Sequence, residues 1–224
     1  MKVAVAKYAV GQPTGFEAFA ARQRRVLEEA SRAGAELAVL PEYLSLELAA
    51  MFEPGIRQDF NASLAALQAL QPAWLALYTD LARELRMTIQ AGTFLTRVGP
   101  DRYRNRAWWF APDGTRDYQD KLQLTGFEKD TGVIEGGDEL KVFDLNGVRA
   151  GIAVCYDSEF PLPVRAQREA GARLLLVPSC TDTRAGATRV RVGCMARALE
   201  NRMFVAQAVT TGAADWSPAL DTNT

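Results

Sequence analysis

A chain of 224 residues with 48% hydrophobic and 24% charged content has the size and composition of one α/β domain, residues 1–224, and its formal net charge of −1 offers no electrostatic basis for binding nucleic acid or an anionic membrane. The absence of histidine excludes Ser-His-Asp triads, Cys-His pairs, imidazole acid/base chemistry and histidine metal sites. Cys155, Cys180 and Cys194 have no C-x-x-C spacing, so the sequence supports neither a zinc site nor a thioredoxin-like motif.

In chain order, Lys2 to Val10 carries Val3, Val5, Tyr8 and Val10 among alanines and reads as a first strand. Thr14 and Glu17 have the spacing of a capping box, and Phe16, Phe19, Gln23, Val26, Leu27 and Ala30 form a helical stripe up to Gly34. The apolar run Leu37 to Leu40 completes a βαβ unit and is closed by Pro41-Glu42. In such a unit the ligand side lies at the carboxyl ends of the strands. Phe60 to Met87 is helical in pattern and splits near Pro72, since proline starts a helix but disrupts its interior. Strands follow at Thr88 to Arg97, Arg104 to Phe110 and, after the Pro112-Asp113-Gly114 turn, Thr115 towards Lys121. Trp108 and Trp109 point to opposite faces of their strand. Gly126 to Gly137 reads as a polar loop, and Leu140 to Leu145 pairs through Asn146-Gly147 with the next strand. Leu174 to Val177 is a buried strand ending at Pro178-Ser179-Cys180, Thr188 to Asn201 is helical, and Phe204 to Val209 is a further strand. This alternation predicts an α/β layered fold with mixed sheets. The N-terminus shows no signal peptide, and no apolar run approaches the roughly 18 residues of a membrane span, so the expected location is cytoplasmic.

The chemistry centres on Gly147 to Pro161. Val148, Ala150, Ile152, Ala153 and Val154 suit a buried strand, Cys155 falls where that run stops, and Pro161 and Pro163 open a helix reaching Gly171. A thiol on such an elbow is rigid and faces a cleft. With no histidine, a carboxylate of raised pKa is the commonest remaining general base, and a lysine can supply positive charge for a thiolate or an oxyanion. Glu42 and Lys121 lie at two other strand ends.

On the ordered set Leu-Pro-Glu at 40 to 42, Asp-Lys-Leu-Gln-Leu at 120 to 124, Ile-Ala-Val-Cys-Tyr-Asp-Ser-Glu-Phe-Pro at 152 to 161 and Arg-Ala-Leu-Glu-Asn at 197 to 201, the chain resembles the carbon-nitrogen hydrolase, or nitrilase, superfamily over nearly its whole length. The resemblance implies a four-layer α-β-β-α sandwich, paired through its helices as a homodimer or higher homo-oligomer. It implies Glu42 as general base and acid, Lys121 as electrostatic support and Cys155 as nucleophile, with no cofactor and no metal. Glu128 matches the second glutamate that many members place beside the lysine, and the Tyr156 backbone N–H is an oxyanion donor. Tyr43, Glu159, Cys180 and Thr181 are candidate substrate-binding residues. Cys-Tyr-Asp is closer to the aliphatic and omega-amidase branches than to nitrilases, where tryptophan and glutamate are common. The implied reaction is hydrolysis of a small amide through a cysteine thioester. Acyl transfer to an amine and nitrile hydrolysis use the same triad and stay open, as does a non-catalytic ligand-binding relative. Many relatives carry arginine two residues after the aspartate, where this chain has Glu159. Its carboxylate faces the pocket mouth or pairs with Arg165 or another arginine. Members usually continue beyond Trp-Ser-Pro-Ala-Leu-Asp at 216 to 221, so the implied sandwich lacks its C-terminal strands and tail.

Overall fold

The computed structural model describes residues 1–220; the expectation of absent C-terminal strands and tail lies outside them. The N-terminal stretch read as one strand is two. β1 (Val3–Val5) pairs parallel with β3 (Leu37–Leu40), while β2 (Lys7–Ala9) pairs parallel with β10 (Phe204–Thr211) in a second sheet. Ala6 joins them, donating its N–H to the Val39 carbonyl at 3.0 Å and accepting from Val209 N–H at 2.9 Å. One residue thus passes the chain between sheets, with no side-chain signal in the sequence.

The first sheet continues through β4 (Thr88–Gly99), β5 (Arg102–Phe110) and β6 (Arg116–Asp120), in the order β1-β3-β4-β5-β6. The second contains β7 (Val142–Leu145), β8 (Val148–Ile152) and β9 (Leu174–Ser179), in the order β2-β10-β9-β8-β7. Both are mixed: β1, β3 and β4 run parallel before the β4-β5-β6 meander, and β7 is the antiparallel edge of an otherwise parallel sheet. The β7-β8 turn has positive φ at both Asn146 (51°) and Gly147 (85°), the backbone that an Asn-Gly hairpin favours.

Alternation along β3 divides the core. Helices α1 (Phe16–Arg32), α2 (Pro54–Arg57), α3 (Phe60–Leu67) and α4 (Gln71–Leu85) precede β4 in the chain; Ala38 and Leu40 pack towards α1 and α4, whereas Leu37 and Val39 join the cluster of the second sheet. Trp108 and Trp109 divide likewise, and both are buried. On the α4 side Trp74 is fully buried, with ring centroids 4.7 Å from Tyr78 and 5.4 Å from Phe94. Helices α6 (Pro161–Glu169) and α7 (Arg184–Asn201) cover the second sheet and complete the α-β-β-α layers. α1 begins after Gly15 without a side-chain cap, so the Thr14–Glu17 capping box does not form. The cap of α7 is instead Thr183, whose side chain accepts the Gly186 N–H, so that helix starts four residues before the sequence pattern indicates.

Candidate active site

Glu42 lies just beyond β3, between Pro41 and a 3-10 helix at Leu44–Met51. The turn is set by Tyr43, in left-handed backbone at φ 61°, whose N–H bonds to Thr93 Oγ1 at 2.9 Å. Gly92 sits in the irregular stretch of β4 opposite, where a Cβ would lie 2.1 Å from the Pro41 carbonyl oxygen; only glycine lets the two segments approach this closely. Lys121 directly follows β6. The segment read as a polar loop contains a short helix, α5 (Gly126–Asp130), with Thr125 and Glu128 forming a reciprocal capping box. The Thr-x-x-Glu spacing was a signal for it.

Cys155 stands past the end of β8 at the start of a 3-10 helix, Cys155–Glu159, with φ 48°. A non-glycine residue there carries strain of about 1–3 kcal/mol, and the surroundings must hold it. Ser158 Oγ donates to the Cys155 carbonyl at 2.7 Å, and the Arg197 guanidinium donates to the Ser158 carbonyl at 3.2 Å. Gly193 lets α7 press against this elbow, since a Cβ there would be 2.8 Å from the same Ser158 oxygen. The Asp157 carboxylate accepts the N–H groups of Leu122 at 3.1 Å, Gln123 at 2.7 Å and Val154 at 3.1 Å. One buried side chain thus ties the segment after Lys121 to the residue before Cys155. Burial pushes its carboxyl up to about 7, against the Lys121 charge and the amide donors.

The structure brings Glu42, Lys121, Glu128 and Cys155 together, each no more than 4% exposed. Lys121 Nζ lies 2.8 Å from Glu42 Oε1 and 2.8 Å from Glu128 Oε2. Asn105, absent from the sequence-derived set, donates from Nδ2 to Glu42 Oε1 and to Glu128 Oε1, at 2.9 Å each. Its signal was a strand-disfavoured asparagine inside β5. Glu128 also accepts Tyr43 Oη at 2.8 Å, the Thr125 N–H at 3.0 Å and Thr125 Oγ1 at 3.1 Å. Glu42 Oε2 accepts the Cys180 N–H at 3.1 Å, and the Cys155 thiol lies within hydrogen-bonding reach of both the Glu42 carboxylate and the Cys180 carbonyl, the latter at 3.4 Å.

The charges follow from this packing. Burial raises the Glu42 carboxyl, with Lys121 opposing and Glu128 adding to the rise. Burial alone raises Glu128 too, but Lys121 and the hydrogen-bond donors outweigh it and leave its carboxyl below the ordinary value. For Lys121 burial disfavours the ammonium, and the two carboxylates overcome this and hold it well above its usual range. Burial and the Glu42 charge push the Cys155 thiol well up, which favours a neutral thiol beside the carboxylate.

The remaining candidates lie around this centre. Tyr43 spends its hydroxyl on Glu128 and is buried. Tyr156 is half-buried, its ring edge-on to Phe160 at 5.0 Å. Cys180 and Thr181 follow β9 and are half-buried, and burial pushes the Cys180 thiol up to about 12. Glu159 pairs with Arg189 Nε on α7 at 3.4 Å rather than with Arg165, which pairs with Glu169 one helical turn away. Arg197 on α7 is buried and bound to Glu200 at 2.6 Å. A cleft of about 670 Å³ opens between β6 and β7 beside Trp109, Arg116 and Phe143, and none of the clustered residues lines it.

Among the described residues no cluster fit to hold a metal is present, and no helix is long and apolar enough to cross a membrane. The chain belongs to the carbon-nitrogen hydrolase family, whose pattern it matches over residues 2–222. A probable hydrolase of Bacillus subtilis, YhcX, is 32% identical over 95% of this chain and 40% of its own length. The chloroplastic omega-amidase of Arabidopsis thaliana is 26% identical over 82% of this chain and 50% of its own. The chain therefore spans about half the length, or less, of these two relatives. Among solved structures, a carbon-nitrogen hydrolase from Helicobacter pylori G27 superposes with a TM-score of 0.82 at 16% identity, covering 100% of this chain and 78% of that one. An amidase from Nesterenkonia sp. AN1, whose mutant carries the product of Michael addition of acrylamide at the active-site cysteine, gives 0.76 at 22% identity over 99% and 82%. At these identities the likeness concerns the fold.

Proposed function

We propose that the chain hydrolyses the carbon-nitrogen bond of a small amide through a thioester on Cys155. The observation that carries this reading is the buried convergence of a thiol, a carboxylate of raised basicity and an ammonium on three strand ends. Glu42 takes the thiol proton as Sγ attacks the carbonyl carbon. Lys121 Nζ and the Tyr156 N–H stabilise the oxyanion, in a setting where loss of one donor costs about 10²–10³ in rate. Collapse expels the amine, which leaves with the proton held by Glu42. Glu42 then deprotonates water, which attacks the thioester, and the thiol is restored as the acid leaves. Glu128, occupied by five donors, keeps its negative charge beside Lys121 and is the counter-ion rather than the base. Omega-amidases among the relatives support the amide as substrate class. We further propose a homo-oligomer formed through the helical face of the second sheet, where Leu162, Met195 and Leu199 are 79%, 62% and 83% exposed.

The test is ammonia release from matched short-chain amides and nitriles by the parent and Cys155→Ala. Release from amides that is lost in Cys155→Ala supports the reading. Turnover of nitriles alone, or amide turnover that survives the substitution, refutes it.

A further inference from the structure

Two carboxylates flank Lys121, and the structure distinguishes not only between them but between the two oxygens of Glu42. A carboxylate oxygen has two lone-pair sites. On Oε1 both are filled, by Lys121 Nζ at 2.8 Å and Asn105 Nδ2 at 2.9 Å. Oε2 accepts the Cys180 N–H at 3.1 Å and keeps a site for one more proton. The orientation of Asn105 is fixed by its neighbours: reversed, its Oδ1 would face two carboxylate oxygens at 2.9 Å. In the observed orientation Oδ1 is buried with no hydrogen-bond partner among the described residues. The side chain therefore leaves its own acceptor unsatisfied while its donor serves both carboxylates, a pattern that packing alone does not account for.

We propose that Asn105 is a positioning residue that, together with Lys121, occupies Glu42 Oε1 and so makes Oε2 the oxygen that receives the Cys155 proton. The proposal rests on the reading of Glu42 as general base. A donor aimed at a carboxylate favours its ionised form, so loss of Asn105 makes Glu42 harder to deprotonate as well as less well oriented. Being buried behind the two glutamates, Asn105 acts on the base and not on substrate.

The experiment is the pH dependence of Cys155 alkylation by iodoacetamide, read by peptide mass in the parent, Glu42→Gln, Asn105→Ala and Asn105→Ser, with circular dichroism as the folding control. The parent rate rises through the ionisation of Glu42. Glu42→Gln lacks that limb. Asn105→Ala keeps the limb with its midpoint about one pH unit higher, and Asn105→Ser, with a single hydroxyl donor, moves it by less. A Glu42→Gln profile identical to the parent overturns Glu42 as the base, and the proposal falls with it. Loss of the limb in Glu42→Gln with an unshifted midpoint in folded Asn105→Ala overturns the role of Asn105 alone. Asn105→Ser decides by the same criterion should the alanine variant not fold.

Discussion

Replacing Lys121 by methionine keeps the side-chain length and removes the cation that two buried carboxylates share. Each Nζ to oxygen separation is 2.8 Å, which at an effective dielectric of about 20 corresponds to about 6 kcal/mol per pair. A buried carboxylate losing that partner moves up, because the cation that opposed its desolvation is gone. In Lys121→Met the carboxyl of Glu42, already raised by burial, rises further and is shifted towards its protonated form, in which it cannot take the thiol proton. Turnover falls by about 10³-fold or more, combining a lost base with a lost oxyanion donor. Breaking the buried arrangement also costs about 3–5 kcal/mol of stability. The pH dependence gives the sign. In the parent, Glu128 is held below its unfolded value, so its contribution is present above the ordinary carboxylate range and is lost as pH falls through the depressed folded value. In the variant Glu128 joins Glu42 above the unfolded value, so more stability is retained at acid pH and lost as pH climbs through the raised folded values. Urea midpoints at pH 5 and pH 8, measured with amide turnover, test this. The gap between parent and variant widens at pH 8; an equal gap at both, or parental turnover, refutes the reasoning.

Other substitutions separate the roles of the neighbours. Glu42→Gln preserves the fold and loses about 10²–10⁴-fold in turnover, and the parent's kcat/KM profile has its acid limb above the ordinary carboxylate range; near-normal turnover in the variant removes Glu42 from the mechanism. Asp157→Asn turns an amide donor towards backbone N–H groups that meet a carboxylate acceptor in the parent, costing about 1–3 kcal/mol in a urea unfolding measurement and lowering kcat by loosening both Lys121 and Cys155; parental values in both count against the clamp. Glu159→Gln leaves the ranking of matched cationic, neutral and anionic amides unchanged and alters stability by less than about 1 kcal/mol, because Arg189 already neutralises a partly exposed carboxylate; a reordered ranking restores Glu159 as a selector.

The residues that the fold gathers at the candidate site were legible where chemistry restricts the choice. With no histidine in the chain, a cysteine on an elbow needs a carboxylate and a cation, and Glu42 and Lys121 stood at strand ends in the right order. The helix split at Pro72 and the Asn146-Gly147 hairpin were legible because proline and positive φ act locally. The change of sheet at Ala6 was not, since it is set by which strands accept its backbone groups rather than by its own side chain. Asn105 and Asp157 escaped for a related reason. Their partners lie 63 and 35 residues away in Glu42 and Leu122, and only the folded chain brings these together. Glu159 was legible as a charge near the elbow, but its partner depended on α7 beginning at Arg184 and presenting Arg189.

The central claim is that Cys155 carries the acyl group between two half-reactions. The most direct measurement is the mass of the enzyme mixed with an activated acetyl ester and quenched in acid, mapped to peptides in the parent, Cys155→Ala and Cys180→Ala. The account predicts an acetyl adduct on the Cys155 peptide, released as hydroxamate by hydroxylamine, present in Cys180→Ala and absent in Cys155→Ala. An adduct that persists in Cys155→Ala and disappears in Cys180→Ala contradicts it.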